Sequence, residues 1–153
     1  MDVLIRPARA TEADILTDLA LRSKAHWGYD ADFLKACRDE LTVAAHEVAR
    51  RRATVADRGG HILGFTTLEG EPPTGVLGMM FVEPQAIGQG VGRLLFERTI
   101  AAGRDLGFAQ LTIDADPNAE PFYCAMGAVR IGSVPSGSIA GRVLPQMVVT
   151  IQR

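Results

Sequence analysis

Two cysteines in 153 residues, Cys37 and Cys124, are too few for a disulfide framework. They fit a reducing cytoplasm, each as a small buried or half-buried residue. No apolar run approaches the ~20 residues of a membrane span, and Met1-Asp2-Val3-Leu4-Ile5-Arg6 lacks the pattern of a signal peptide. A cytoplasmic chain with no membrane partner is expected. Basic charge is not in excess: 16 Lys and Arg stand against 18 Asp and Glu, so nucleic acid is not expected as a partner either. The one basic run, Arg50-Arg51-Arg52, falls where a short helix should hand over to a strand and reads as a solvated helix end. No metal is expected. What remains is the composition of an ordinary globular domain, 47% hydrophobic and 22% charged, spanning 1–153 without linker or internal repeat.

The pattern along the chain alternates strand and helix signals. Residues 3–6 read as a strand ended by Pro7. Thr11 is an N-cap candidate for a helix to about Ser23, with Ile15, Leu16, Leu19 and Ala20 at helical spacing. An aromatic loop, His26-Trp27-Gly28-Tyr29-Asp30, precedes a second helix at about 31–39 that turns Phe33, Leu34 and Cys37 inward, and 46–51 adds a helical turn. Strands at 53–57 and 61–68 form a hairpin about Arg58-Gly59-Gly60. A third strand, 76–82, leads into a Gly-rich loop and a helix over 91–106 stopped by Gly107. A strand at 109–113, a short helix at 119–126 capped by Asn118, and strands at 128–131 and 146–151 complete the order β-α-α-β-β-β-α-β-α-β-β. This is an α+β chain with a mixed, mostly antiparallel sheet, in which only the strands flanking helix 91–106 need be parallel.

The loop Ile87-Gly88-Gln89-Gly90-Val91-Gly92-Arg93 carries the most chemistry. Glycines at alternate positions let the backbone turn tightly and approach a ligand, and the helix start behind them offers free N–H groups to an anion. The spacing is not the Gly-x-Gly-x-x-Gly of dinucleotide sites, and no Gly-x-x-x-x-Gly-Lys-Ser/Thr is present.

This strand–loop–helix resembles the acetyl-CoA-binding motif Gln/Arg-x-x-Gly-x-Gly/Ala of the GNAT superfamily of N-acetyltransferases, with Ile87 in place of the usual Gln or Arg. Downstream, Asn118-Ala119-Glu120-Pro121-Phe122-Tyr123-Cys124-Ala125-Met126-Gly127-Ala128 is similar to the family's Asn-x-x-Ala/Pro-x-x-Phe/Tyr-Tyr-x-x-x-Gly-Phe, with Ala128 for the final Phe. The resemblance implies a GNAT-like fold with six or seven strands, helices on both faces and a splayed parallel strand pair. It implies acetyl-CoA as co-substrate between those strands, with pyrophosphate on the N–H groups of 88–93 and pantetheine along Phe81 and Val82. Each charge-assisted contact would contribute about 1.5–3 kcal/mol. Ile87, Gly88, Gln89, Gly90, Val91, Gly92, Arg93, Asn118 and Phe122 complete the expected cofactor set, Asn118 serving either there or as a helix cap.

By the same resemblance Tyr123 is the acid that protonates the leaving thiolate, against the plainer reading of a packing aromatic. Cys124 is expected to be buried and uninvolved. The acceptor, a small-molecule amine or a protein amino group, is expected between Trp27 and Tyr29 on one side and the 132–142 loop on the other. Arg142 either holds an acceptor carboxylate or is a solvated loop charge, and Trp27 is either a pocket wall or core. The strand 76–82 carries no titratable group, so no residue is assigned as the base: a water chain to bulk solvent is the expectation, and Asp114, Glu69 and His26 are candidates that each read first as surface or structural residues. A homodimer is left open. A non-catalytic acyl-CoA-binding sensor is the alternative, and a nucleotide-binding module the weaker third.

Overall fold

The computed structural model describes residues 2–151; the ends of the expected 1–153 domain, residues 1 and 152–153, lie outside them. Strands β1 (Leu4–Pro7), β2 (Thr54–Arg58), β3 (His61–Glu69), β4 (Thr74–Val82), β5 (Gln110–Asp114), β6 (Val129–Pro135) and β7 (Val143–Thr150) form one sheet, in the order β1-β2-β3-β4-β5-β7-β6. All neighbours are antiparallel except β4 and β5, which flank helix α3 (Val91–Leu106). The sheet is therefore the mixed, mostly antiparallel one expected, with seven strands.

Alternation along the strands gives the sheet two apolar faces. Val55, Phe65 and Met79 pack against α1 (Ala13–Ala25) and α2 (Ala31–Leu41), where Leu16, Leu19, Cys37 and Leu41 are buried. Leu68, Leu77, Leu111, Ile113, Met147 and Val149 pack with Phe96 of α3 and Tyr123 of α4 (Glu120–Ala125) on the opposite face. Fully burying a side chain such as Phe65, Leu16 or Leu95 contributes about 1.5–3 kcal/mol. Two buried threonine hydroxyls pair across the core: Thr66 and Thr99 join β3 to α3 at 2.8 Å, and Thr99 also donates to the Leu95 carbonyl.

Several local expectations are corrected. Thr11 does not cap the first helix. A 3-10 turn (Ala10–Glu12) comes first, and the Glu12 carboxylate accepts from the Arg9 N–H at 2.7 Å. Glu12 is held there by Arg6 at 2.6 Å, and Arg6 also reaches Asp57 at 3.1 Å on β2, so an ion triad ties the helix start to the sheet edge. Ile15 is exposed, because the buried stripe runs through Ala13, Leu16, Thr17, Ala20 and Ser23. Asp30 caps α2 by accepting from the Phe33 N–H.

The basic run is not a solvated helix end. Only Arg50 is exposed, while Arg51 pairs with Glu69 and Arg52 donates to the carbonyls of Leu68 and Gly70. β6 and β7 are longer than expected, and the loop between them shrinks to 136–142. No helix among the described residues is long and apolar enough to cross a membrane.

Candidate active site

Parallel pairing between β4 and β5 lasts only from Thr74, Gly75 and Val76 to Gln110, Leu111 and Thr112. Beyond Val76 the strands part around a cleft of about 740 Å³, with 77–82 on one wall and 113–116 on the other. A bulge accompanies the parting. Leu68 faces Leu77 but Thr66 faces Met80, so β4 carries one extra residue at 78–79. Bulges sharpen local twist and bend the strand, and here the Met79 N–H is taken by the Thr67 hydroxyl at 2.9 Å.

At one end of the cleft lies the Gly loop, with Phe81, Val82, Ile87, Gly88, Gly90, Val91, Gly92 and Arg93 in its wall. Gly88 and Gly90 sit at φ +86° and +84°, a backbone region that strains any side chain, although space around both is open. At Gly92 the matter is space rather than backbone conformation: a Cβ there would lie 3.3 Å from the Phe122 ring, which would have to shift by a few tenths of an ångström. The first helical bond of α3 runs from the Leu94 N–H to the Gly90 carbonyl. The N–H groups of Val91, Gly92 and Arg93 are thus left outside the ladder at the positive end of a sixteen-residue helix. The Gln89 side chain turns away from the cleft, joining Arg58 and the Gln85 carbonyl. Arg93 is exposed beside Glu97. Ile87 brings an exposed apolar side chain where the motif usually has a donor, so it adds no donor to the backbone N–H groups of the loop.

Tyr123 forms part of the cleft wall from α4, its ring packed edge-on to Phe122 and beside Phe96. The residue is 6% exposed, and among the described residues its hydroxyl has no hydrogen-bond partner. Burial, reinforced by the negative charge of Asp116, pushes its pKa well above the ordinary tyrosine value. A neutral phenol with a free O–H therefore faces the cleft at neutral pH, and Cys124 beside it is exposed rather than buried. The reason is helical geometry: in the short α4, the position after a core residue turns outward.

Asp116 is a hub that reading the sequence missed. Its carboxylate accepts from Lys24 at 2.6 Å, from the Tyr29 hydroxyl at 3.0 Å and from the Asn118 N–H at 2.8 Å, with Arg142 at 3.5 Å. Burial favours the neutral acid, but these donors outweigh it and hold Asp116 below the usual aspartate value. Asp116, not Asn118, is therefore the local cap, and the Asn118 amide is free to donate to the Tyr29 hydroxyl at 3.1 Å. Asx followed by a donor two residues on is a turn signature, and Asp116-Pro117-Asn118 carries it.

The 26–30 loop and the 132–142 segment do meet, since Arg142 donates to the Tyr29 hydroxyl at 2.7 Å. Tyr29 stacks on Phe33 and Arg142 lies over both rings, so the two residues support the wall from behind and are not in the cleft lining. Arg142 is not a solvated charge, and the carboxylate it approaches is the protein's own. Trp27 lies in the lining and is 43% exposed, which excludes it from the core. Of the base candidates, Asp114 lines the cleft near Gln146 and His26 packs against Trp27 outside it. Glu69 is fixed by Thr67 and Arg51 next to Gly78.

The family model of the acetyltransferase (GNAT) domain matches residues 19–148, and the chain belongs to that family. Acetyl-CoA is the co-substrate that membership implies. Similar solved structures include a GCN5-related N-acetyltransferase from Rhodopseudomonas palustris (TM-score 0.82, 23% identity, covering 98% of this chain and 96% of that one). PaiA N-acetyltransferase from Thermoplasma acidophilum, solved with coenzyme A, superposes with TM-score 0.80 at 15% identity over 98% and 99% of the two chains. YncA, a putative acetyltransferase from Salmonella typhimurium solved with acetyl-CoA, gives 0.71 at 18% over 100% and 96%. At these identities the likeness is one of fold. No curated protein matches the chain in sequence.

Proposed function

We propose that this protein transfers the acetyl group of acetyl-CoA to an amino group of a small molecule or protein by direct attack, with Tyr123 protonating the leaving thiolate. The observation that carries the reading is the protonated, unpartnered hydroxyl of Tyr123 on the wall of a cleft whose other end is a row of unpaired N–H groups. In this arrangement pyrophosphate lies on the backbone of 88–93 and pantetheine runs along the part of β4 that β5 has left, adding as a strand would. The thioester then reaches the region of the bulge. A neutral phenol supplies the proton that sulfur needs as the carbon–sulfur bond breaks. Phe122 and Asn118 flank that path, and Trp27 forms a wall on the acceptor side. Two free cysteines suit a cytoplasmic setting.

Incubating the protein with acetyl-CoA and a panel of amines, with thiol release and acetylated product read together, tests the reading. Stoichiometric thiol and N-acetyl product are expected with at least one amine. Saturable acetyl-CoA binding without product from any amine would leave a binding module instead.

A further inference from the structure

We propose that Glu69, carried on β3 rather than on the strand that lines the cleft, is the group that receives the acceptor's proton, and that Thr67 positions it. The assignment rests on the acetyl-transfer reading above and starts from Gly78. A side chain at this position would collide with the Glu69 carboxylate, which fills the space beside the β4 backbone where that side chain would stand. Gly78 lines the cleft at the bulge, where β4 and β5 have separated. β4 thus brings no titratable group of its own to this place, and β3 supplies one across the strand.

The carboxylate is held rather than loose. The Met79 N–H, turned out by the bulge, donates to the Thr67 oxygen. This commits the Thr67 hydroxyl proton outward, and it goes to Glu69 Oε2 at 2.7 Å. Arg51 donates to the same oxygen at 3.1 Å. Oε1 has no partner among the described residues and remains available. Glu69 itself lines a second cavity of about 430 Å³, polar and open, rather than the main cleft, and the two share Glu40 and Arg51 as lining residues. An amine entering by this polar pocket passes the carboxylate before it reaches the thioester.

The chemistry requires such a group. An alkylamine arrives as a cation and has no lone pair to attack with until a proton leaves. That proton goes to Glu69 and on to solvent. Nitrogen then bonds to the thioester carbon, the carbon–sulfur bond breaks, and Tyr123 gives its proton to sulfur. The second nitrogen-bound proton, released as the amide forms, restores the phenol. Two protons leave nitrogen and one reaches sulfur, so one is released overall.

The test uses an isosteric pair, n-butylamine and O-propylhydroxylamine. They share a shape, but the alkoxyamine is so weakly basic that it is already neutral at neutral pH. With saturating acetyl-CoA, Glu69→Gln should lower kcat/KM for n-butylamine by about 100-fold or more and that for O-propylhydroxylamine by less than about threefold. Thr67→Val should show the same selectivity more weakly, with acetyl-CoA affinity unchanged in both variants. Equal losses for the two nucleophiles would overturn the assignment and leave acetyl transfer standing. Should the wild-type protein acetylate neither, the same comparison is made with an amine of the panel that it does acetylate and the alkoxyamine isostere of that amine; no product from any amine of the panel, with acetyl-CoA bound, would overturn the transfer reading and the assignment with it.

Discussion

Under the proposed transfer, the donor end of the cleft presents mainly backbone from one stretch, residues 81–93, whereas the acceptor end is lined or supported from behind by side chains drawn from α1, the α1–α2 loop, β3, the segment after β5 and the β6–β7 loop. At the donor end the side chains are absent, apolar or turned outward, as with Gly90, Ile87 and Gln89. At the acceptor end Lys24, Tyr29, Asp116 and Arg142 bond to one another, and Thr67 and Arg51 both donate to one carboxylate oxygen of Glu69 around the bulge. Backbone recognition tolerates sequence change as long as the glycine conformations survive. A side-chain network depends on each member, because removing one leaves a partly buried partner unpaired.

The largest effect should fall where the two ends meet. Tyr123→Phe keeps the ring packing and removes only the proton donor. Its kcat should drop by about 10²–10⁴ with the Kd for acetyl-CoA within about twofold, as stopped assays and calorimetry would read. An unchanged kcat would take Tyr123 out of the chemistry and return it to the packing role.

Next is the network itself. Asp116→Asn should cost about 1–3 kcal/mol of stability at neutral pH, since Lys24 and Arg142 lose their common anion. The folded carboxyl titrates below its ordinary value, so its contribution is complete above the unfolded pKa of about 4 and is lost as pH falls through the lower native value. Urea melts of wild type and variant should therefore converge on acidification. A gap that persists unchanged in acid would mean that packing, not charge, explains the loss.

A smaller effect is expected for a change confined to the donor end. Gly90→Val forces a β-branched residue to φ +84° and should cost about 1–2 kcal/mol, felt chiefly as a weaker acetyl-CoA affinity because the loop must shift. Gln89→Ala, at the neighbouring position, should change that affinity by less than about twofold, since its side chain serves Arg58 and Gln85 on the outer side.

The same division explains what could be read in advance. Helix 91–106 and its Gly107 stop appear as expected because both depend on local spacing and one left-handed residue. The single parallel strand pair follows from the crossover around that helix. The glycine loop was legible for the same reason: conformational demands leave glycines in the sequence.

The acceptor side was not legible, because its contacts join residues far apart in the chain, such as Tyr29 with Asp116 and Arg142. No local pattern announces them. Asp116 was hidden by its position after a strand, although its turn with Asn118 carried a signal. Gly78 inside an apolar strand was the one available sign of the bulge. Cys124 was misplaced because an apolar reading of a six-residue helix does not fix which face it turns inward.

The most direct test of the central claim, that the donor is held by backbone, is a calorimetric titration of acetyl-CoA into wild type, Gln89→Ala and Gly90→Val. The account predicts saturable binding to the first two with nearly equal Kd and clearly weaker binding to the third. Loss of binding in Gln89→Ala with Gly90→Val unaffected, or no binding to the wild-type protein, would contradict it.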